Sequence, residues 1–524
     1  MLSFSEFVPV IPALILSVGA MILLLSEVFL TGTGRTHQLF LAVLTSALAG
    51  VTALVNVSQP PHLIFAGFGV NDPFSSAITC VVCLGALLTV LSASGFLRHR
   101  NAERGEFYAL VLFAAAGMSL LALSNELVML FISIEILSVA TYALTAYLRR
   151  GPRPSEAGFK YFILGAFSSA ILLYGVSLLY GATGTTHLTQ MGSLIGQAME
   201  QRSGLVFVGV GLVATGLAFK IAAVPFHMWT PDVYEGASTP VTALMSASVK
   251  AAAFAALVRF FLAVSPGLPK GMLLGLFSTL AFLTLVGGNL LALPQRNVKR
   301  MLAYSSIAHV GYLLIGVTSL FAGAGEQVGF AFLRVTASEN LTKASGNGAL
   351  NAEIVKGIVF YLLAYTFTAV GAFATLAALE RREDEERATA WDLERFAGLA
   401  QRRPGWAFAM AVFMLSLGGI PPTLGFMSKL LIFRNAIDSG LWGLTVVGVL
   451  SSAAGVYYYL RVVVYMYMRP ADDAAVLPER RLSTDAVLGV ACAAVLFLGI
   501  FPGSISDWLV KSGVVQGVSR ANRP

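Results

Sequence analysis

The sequence predicts an all-α membrane protein with about fourteen spans, arranged as two inverted five-helix repeats that each contain a broken helix. Composition is the first observation: of 524 residues, 57% are hydrophobic and 12% charged, with a mean hydropathy of +0.78, whereas charged residues make up about 25% of a soluble protein. The second observation is a series of apolar runs long enough to span a bilayer, and the third is that two of these runs are interrupted. The net charge of +7 comes from basic loops between apolar runs, a feature of membrane topology that gives no reason to expect a nucleic-acid partner.

Runs of about 20 apolar residues, the length that crosses a bilayer, define the predicted spans. The first has no basic segment before it and is long enough to cross, so we expect a retained helix and not a cleaved signal peptide. The runs fall at 8–30, 39–55, 77–97, 106–123, 126–148, 157–180, 205–235, 241–264, 271–293, 298–320, 354–379, 405–435, 441–468 and 484–502.

Two of these spans are overlong and interrupted. The seventh contains Pro225 and Pro231, and the twelfth contains the stretch Gly418–Pro422. A helix break at membrane depth is tolerated only where the freed backbone groups face protein or a wet cavity. The two breaks therefore indicate where a transport route passes.

Basic residues concentrate in the odd-numbered loops, at 98–104, 149–153, 296–300, 381–403 and 469–481. Because cytoplasmic loops are enriched in Lys and Arg, this distribution predicts that both termini lie on the outer face.

An internal repeat is visible at low resolution. Spans four to eight include a helix with Glu135 and the broken helix with Lys220, and spans nine to thirteen include a helix with His309 and the broken helix with Lys429. Because the two five-helix units are offset by an odd number of crossings, they cross the membrane in opposite directions. This is the inverted-repeat plan of transporters. The predicted organisation is a three-helix segment at 1–105, a first repeat at 106–264, a second repeat at 265–470, and a C-terminal helix and tail at 471–524.

Lys220, Lys250, Lys429 and Glu135 lie inside apolar runs, where each charge costs about 2.5–3.5 kcal/mol on insertion scales. Snorkelling to the interface or a purely structural ion pair are the simpler explanations, but Lys250 lies near the centre of its span. Lysine and glutamate are proton carriers whose proton affinities shift readily with burial and with neighbouring charges. No nucleotide-binding, nucleophile-triad or metal-ligand motif accompanies them, and Cys80 and Cys83 are expected to be inert buried thiols. The residues therefore favour proton movement as the function.

The sequence around these groups resembles the antiporter-like subunit N of proton-pumping NADH-quinone oxidoreductase, respiratory complex I. The resemblance extends over essentially the whole chain, and the stretch from Pro225 to Gly236 is its most specific part. It is carried by residues 130–135, 219–236, 248–250, 302–312 and 419–429.

The resemblance implies a role for each buried group. Glu135 and Lys220 match the pair thought to drive proton uptake, Lys250 the central lysine, and Lys429 the lysine near the outward exit, with His309 as a relay between the last two. Lysine at 429 is similar to subunits N and L, whereas the sister subunit M usually has glutamate there. No helix like the long lateral helix of subunit L is expected after the fourteenth span.

The resemblance also implies partners. The chain would be a subunit of an enzyme complex in the bacterial inner membrane, next to the sister antiporter-like subunit M and the small subunit K. NADH, FMN, iron–sulfur clusters and quinone would belong to other subunits, with no cofactor bound by this chain. The loop at 322–353 is longer than the family implies, which leaves the outer-face contacts open.

Two alternatives remain at this point. A subunit of an Mrp-type cation/proton antiporter, or of a related membrane hydrogenase, would share the fold and the lysine row, although the stretch Trp229–Tyr234 favours complex I. A structural assembly subunit would use ion pairs only to fix helix register, but four separated ionisable groups argue against that role.

Overall fold

The computed structural model describes residues 4–29, 36–149, 151–269, 271–322, 347–380, 391–470 and 481–511. Most of the predicted long loop at 322–353 lies outside the described residues.

The described residues form a helical membrane protein, as the sequence predicts. Thirteen of their helices are long and apolar enough to cross a bilayer, and the shorter apolar helix Pro404–Gly418 lies where the twelfth span is predicted. The helices are α1 Ser5–Phe29, α2 Thr36–Asn56, α3 Pro73–His99, α4 Gly105–Leu123, α5 Leu127–Thr145, α6 Pro152–Thr183, α7 Leu188–Ile221, α8 Trp229–Gly236, α9 Thr239–Gly267, α10 Met272–Ala292, α11 Val298–Ser319, α12 Asn347–Leu379, α13 Pro404–Gly418, α14 Leu424–Asp438, α15 Trp442–Met468, α16 Leu482–Ile500 and α17 Gly503–Lys511.

One small antiparallel hairpin precedes α3. Its strands are β1 His62–Ile64 and β2 Gly69–Asn71, paired so that Leu63 lies opposite Val70. Short 3-10 turns occur at Val8–Val10, Phe65–Gly67, Ser265–Gly267 and Leu393–Phe396, and one further helical turn at Leu399–Arg402.

The most enclosed helices are α9, α11 and α12. In the apolar 18-residue stretch of each, 89%, 94% and 83% of the residues are buried. In the corresponding stretches of α1, α2, α6 and α15 only 33–39% of the residues are buried, so these helices lie at the periphery. Lys250 and His309 belong to α9 and α11. The central ionisable groups are thus carried by the helices that have the least contact with the surroundings.

A buried ion pair ties α3 to α9. The Asp72 side chain caps α3 by accepting from the Ser75 N–H at 2.7 Å, and Ser75 Oγ accepts from the Asp72 N–H at 3.2 Å. Arg259 donates to both carboxylate oxygens of Asp72, at 2.9 and 3.1 Å. The Asp72 side chain is fully buried and that of Arg259 is 11% exposed, so the pair is largely removed from solvent.

We expect Asp72→Asn to destabilise the assembled protein by about 3–5 kcal/mol, because it leaves the Arg259 charge buried and unpaired. Heating detergent-solubilised complex and following its integrity by native electrophoresis measures the loss. The control is Asp438→Asn, whose pair with Arg434 is long, at 3.8 Å, and largely exposed. Equal heat resistance of the two variants would contradict a stabilising role for the buried pair.

Candidate functional site

The first broken span consists of α7 and α8. Helix α7 ends at Ile221, Ala222 has a left-handed backbone with φ of 64°, and α8 begins at Trp229. The predicted break at Pro225 is therefore confirmed, and its peptide bond with Val224 is cis. Pro231, the second predicted interruption, instead lies in the first turn of α8, where a helix does not need the N–H that proline lacks.

Protein groups satisfy the backbone that this break frees. The Val224 N–H donates to Thr284 Oγ1 on α10 at 3.0 Å, and the Trp229 indole N–H donates to the Phe219 carbonyl at 3.0 Å. An unpaired backbone group at membrane depth would cost several kcal/mol. These contacts allow the chain to leave the helix next to Lys220 without that penalty.

Lys220 lies in the last turn of α7 and is 5% exposed. Its ammonium group donates to Ser138 Oγ on α5 at 2.6 Å. Glu135, half-buried and about one turn earlier on α5, accepts instead from the Ser169 hydroxyl on α6. In this conformation a serine, and not the Glu135 carboxylate, is the hydrogen-bond partner of Lys220.

Lys250 occupies the centre of the protein and is 3% exposed. A π-helical turn, Met245–Val249, precedes it within α9, and such turns are frequent at functional sites. The Lys250 ammonium group donates to the Ser306 carbonyl at 2.6 Å and to the Ser306 hydroxyl on α11. This contact joins the last helix of the predicted first repeat to the second repeat.

His309 lies on α11, 5% exposed, with a hydroxyl partner at each ring nitrogen. Nδ1 is 2.6 Å from the Tyr361 hydroxyl of α12, and Nε2 is 3.3 Å from the Tyr459 hydroxyl of α15. The Tyr459 hydroxyl is also 2.5 Å from Ser305 Oγ. The predicted relay histidine is therefore embedded in a cluster of hydroxyl groups.

The second broken span consists of α13 and α14. Helix α13 ends at Gly418, Gly419 has φ of 78°, and α14 begins at Leu424. Gly425 lies so close to the end of α13 that a Cβ atom there would be 1.9 Å from the Ser416 carbonyl oxygen. Only a glycine therefore allows the two half-helices to pack in this way, and the predicted break at Gly418–Pro422 is confirmed.

Lys429 lies in α14, 5% exposed, and holds the free end of α13. Its ammonium group donates to the carbonyls of Leu417 and Gly418, at 2.8 and 3.2 Å, and to Ser452 Oγ at 2.9 Å. The carbonyl end of a helix carries partial negative charge, which suits an ammonium group. The same group lies 4.7 Å from the centroid of the Tyr312 ring.

The three buried lysines share one chemical feature. Among the described residues, none of them has a carboxylate within 4 Å, and their hydrogen-bond partners are hydroxyl and carbonyl oxygens. A lysine held by neutral oxygens can exist as ammonium or as amine, because no fixed negative charge ties it to the charged form. The arrangement therefore suits reversible proton binding at separate sites.

Acidic residues of α8 bridge the two halves of the protein. Asp232 accepts from Lys160 of α6 at 3.0 Å and pairs with Arg300 of α11 at 3.0 Å, and Arg300 also pairs with Glu235 at 2.7 Å. Asp232 and Glu235 therefore belong to an interhelical ion network. It connects the segment after the first break to the start of α11.

Comparison with known proteins identifies the family. Residues 124–334 and 345–455 match the family described as "NADH:quinone oxidoreductase/Mrp antiporter, TM". The chain is also 65% identical to NADH-quinone oxidoreductase subunit N of Myxococcus xanthus, over 98% of this chain and 99% of that protein. The chain belongs to the subunit N family of NADH-quinone oxidoreductase.

Two solved structures share the fold of this chain. A chain of respiratory complex I from Thermus thermophilus is 34% identical, with a TM-score of 0.75 over 95% of this chain and 98% of that chain. A chain of the Mrp complex from Dietzia sp. has a TM-score of 0.78 at 22% identity, over 98% of both chains, and shows the shared antiporter-like fold alone. As a member of the subunit N family, the protein is a proton-translocating membrane subunit of the oxidoreductase complex.

Proposed function

We propose that protons cross this subunit by way of Glu135, Lys220, Lys250, His309 and Lys429. The observation that carries the proposal is that three lysines, each at most 5% exposed, are held by neutral oxygens at separate positions. Glu135 and Lys220 form the uptake end, Lys250 is the central site, His309 is the relay, and Lys429 lies next to the outward exit.

Rearrangement around Ser138 would couple uptake to the rest of the complex. Glu135 on α5 and Lys220 on the neighbouring α7 have different hydroxyl partners, Ser169 and Ser138. A direct contact between the carboxylate and the ammonium group would favour the protonated lysine, and its loss would release the proton. At 2.3 kcal/mol per charge per 100 mV, a membrane potential acts on the same energy scale as an ion pair worth about 1–4 kcal/mol.

The two broken spans support the division into inverted repeats at 106–264 and 265–470, flanked by segments 1–105 and 471–524. Each break separates two helices beside a buried lysine, α7 from α8 and α13 from α14. In transporters, such paired discontinuous helices lie at the substrate route of each repeat.

The same proposal includes the cofactors of the complex and the subunits next to this chain. NADH, FMN, iron–sulfur clusters and quinone belong to other subunits, and the neighbours are the sister antiporter-like subunit M and the small subunit K in the bacterial inner membrane. The exposed apolar side chains Ile132, Ile136 and Val139 beside Glu135, and Phe167 on α6, suit coverage by lipid or a neighbouring subunit. The basic odd-numbered loops support outer termini.

The purified subunit, reconstituted alone in liposomes, is expected to show no sodium-dependent proton exchange, because its proton movement is driven by partner subunits. A pH-sensitive dye inside the vesicles, with sodium and choline gradients compared, measures this exchange. Robust sodium/proton exchange by the isolated subunit would overturn the proposal in favour of an antiporter of the Mrp type.

A further inference from the structure

The hydroxyl groups around His309 form a continuous line through the second repeat. Ser305 and His309 lie one turn apart on α11, so both face the Tyr459 hydroxyl, which contacts them at 2.5 and 3.3 Å. On the other side of the imidazole, Nδ1 lies 2.6 Å from the Tyr361 hydroxyl. All four side chains are at least 95% buried.

Each end of this line lies near a residue that binds one of the lysines. Ser306, the next residue after Ser305, binds the Lys250 ammonium group through its carbonyl and hydroxyl oxygens. Tyr361 lines a small cavity with His309 that extends to Leu417 and Ser428. Leu417 provides a carbonyl to Lys429, so the cavity ends beside the second lysine.

The partners of His309 determine what the ring can do. A backbone carbonyl or carboxylate beside a ring nitrogen would fix one tautomer, because it only accepts a hydrogen bond. A phenol hydroxyl both donates and accepts, so a ring between Tyr361 and Tyr459 keeps both hydrogen bonds in either tautomer. The imidazole can therefore change tautomer inside the protein without leaving a buried polar atom unpaired.

We propose that Tyr459 and Tyr361 are proton-transfer residues on either side of His309, an inference that rests on the proposed proton function. A proton from the Lys250 side binds the Tyr459 oxygen, which passes its own proton to Nε2. The bond between Nδ1 and its hydrogen breaks, that proton binds the Tyr361 oxygen, and Tyr361 releases its own proton into the cavity toward Lys429. One proton enters and one leaves, and the neutral ring is left with its hydrogen on Nε2. Reorientation of the imidazole, which carries this N–H back toward Tyr361 without moving a proton between atoms, and rotation of the hydroxyls precede the next transfer.

The test uses Tyr361→Phe and Tyr459→Phe in the assembled complex, reconstituted in proteoliposomes and driven by NADH. Positioned acid–base groups contribute roughly 10²–10⁴-fold, and since water in a polar cavity can replace part of this, we expect each variant to pump about tenfold more slowly. The matched control is Tyr457→Phe, on the same helix, whose side chain is 62% exposed and faces away from the buried cluster. It should pump at close to the unmodified rate.

The result that would overturn the inference is pumping by both tyrosine variants at the rate of the Tyr457→Phe control while His309→Ala is inactive; that outcome leaves the proposed axis intact. Normal pumping by His309→Ala would instead refute the role of the histidine itself. Native electrophoresis checks assembly. If Tyr459→Phe fails to assemble, Ser305→Ala interrupts the same hydroxyl line with a smaller change, and it should also slow pumping; an unchanged rate would overturn the inference.

Discussion

Replacing Lys250 by arginine is expected to stop proton pumping by the assembled complex, with a loss of at least about tenfold. The substitution keeps the positive charge beside Ser306. Arginine does not release its proton in a protein, because its pKa exceeds 12. Charge alone therefore cannot replace the lysine. Acidification of proteoliposomes during NADH oxidation, recorded with a pH-sensitive dye, measures the effect.

A neutral variant separates the effect of reversible protonation from the effect of a fixed positive charge. Lys250→Met has a side chain of similar length without the ammonium group, and we expect it to be as inactive as Lys250→Arg. Both variants lose reversible protonation, and they differ in charge. Full pumping by an assembled Lys250→Arg complex would show that this lysine acts only as a fixed charge.

Lys220→Ala is expected to reduce proton pumping and quinone reduction together, each by about tenfold or more. Lys220 is the buried ammonium group at the first break, and Ser138 and the rings of Tyr142 and Tyr161 surround it. On the proposed axis, its removal takes away the proton-binding amine at the uptake end. In a coupled complex the redox reaction slows when the proton path is blocked, so both rates fall.

The comparison variant for Lys220 is Arg434→Ala, which removes a cation whose side chain is 75% exposed. We expect normal pumping and normal quinone reduction from it. Should Lys220→Ala reduce quinone and pump protons as Arg434→Ala does, the first broken span would have no part in proton uptake.

The sequence was sufficient to predict the spans, the two breaks and the five ionisable positions. A charge such as Lys250 or a proline such as Pro225 is rare within an apolar run because it costs free energy there, so its presence is informative. The comparisons confirm the family and the antiporter-like fold. The roles of the five residues and the boundaries of the repeats remain predictions.

The hydroxyl partners could not be found in the same way. Serine and threonine are common in membrane helices because their hydroxyls can bond to a carbonyl of their own helix, as Thr141 does with the Leu137 carbonyl at 2.9 Å. No local pattern distinguishes such a residue from Ser138, which accepts from Lys220, 82 positions away. Tyr459 likewise lies 150 positions from His309, and only helix packing brings the two together.

The distance between Glu135 and Lys220 also could not be predicted from the sequence. The motif resemblance indicates a functional pair, but the separation of the two groups depends on how α5, α6 and α7 pack. In the structure Lys220 binds Ser138 and Glu135 binds Ser169. The conformation is therefore one in which the two charges are not in direct contact.

The most direct test of proton transport through this subunit combines Lys220→Ala, Lys250→Ala and Lys429→Ala in one assembled complex. Proton release and quinone reduction are recorded at the same time in proteoliposomes, with assembly checked by native electrophoresis. Transport along the three lysines predicts that both rates fall to a small fraction of those of the unmodified complex. An assembled triple variant that reduces quinone at the normal rate and releases the normal number of protons per quinone would contradict it.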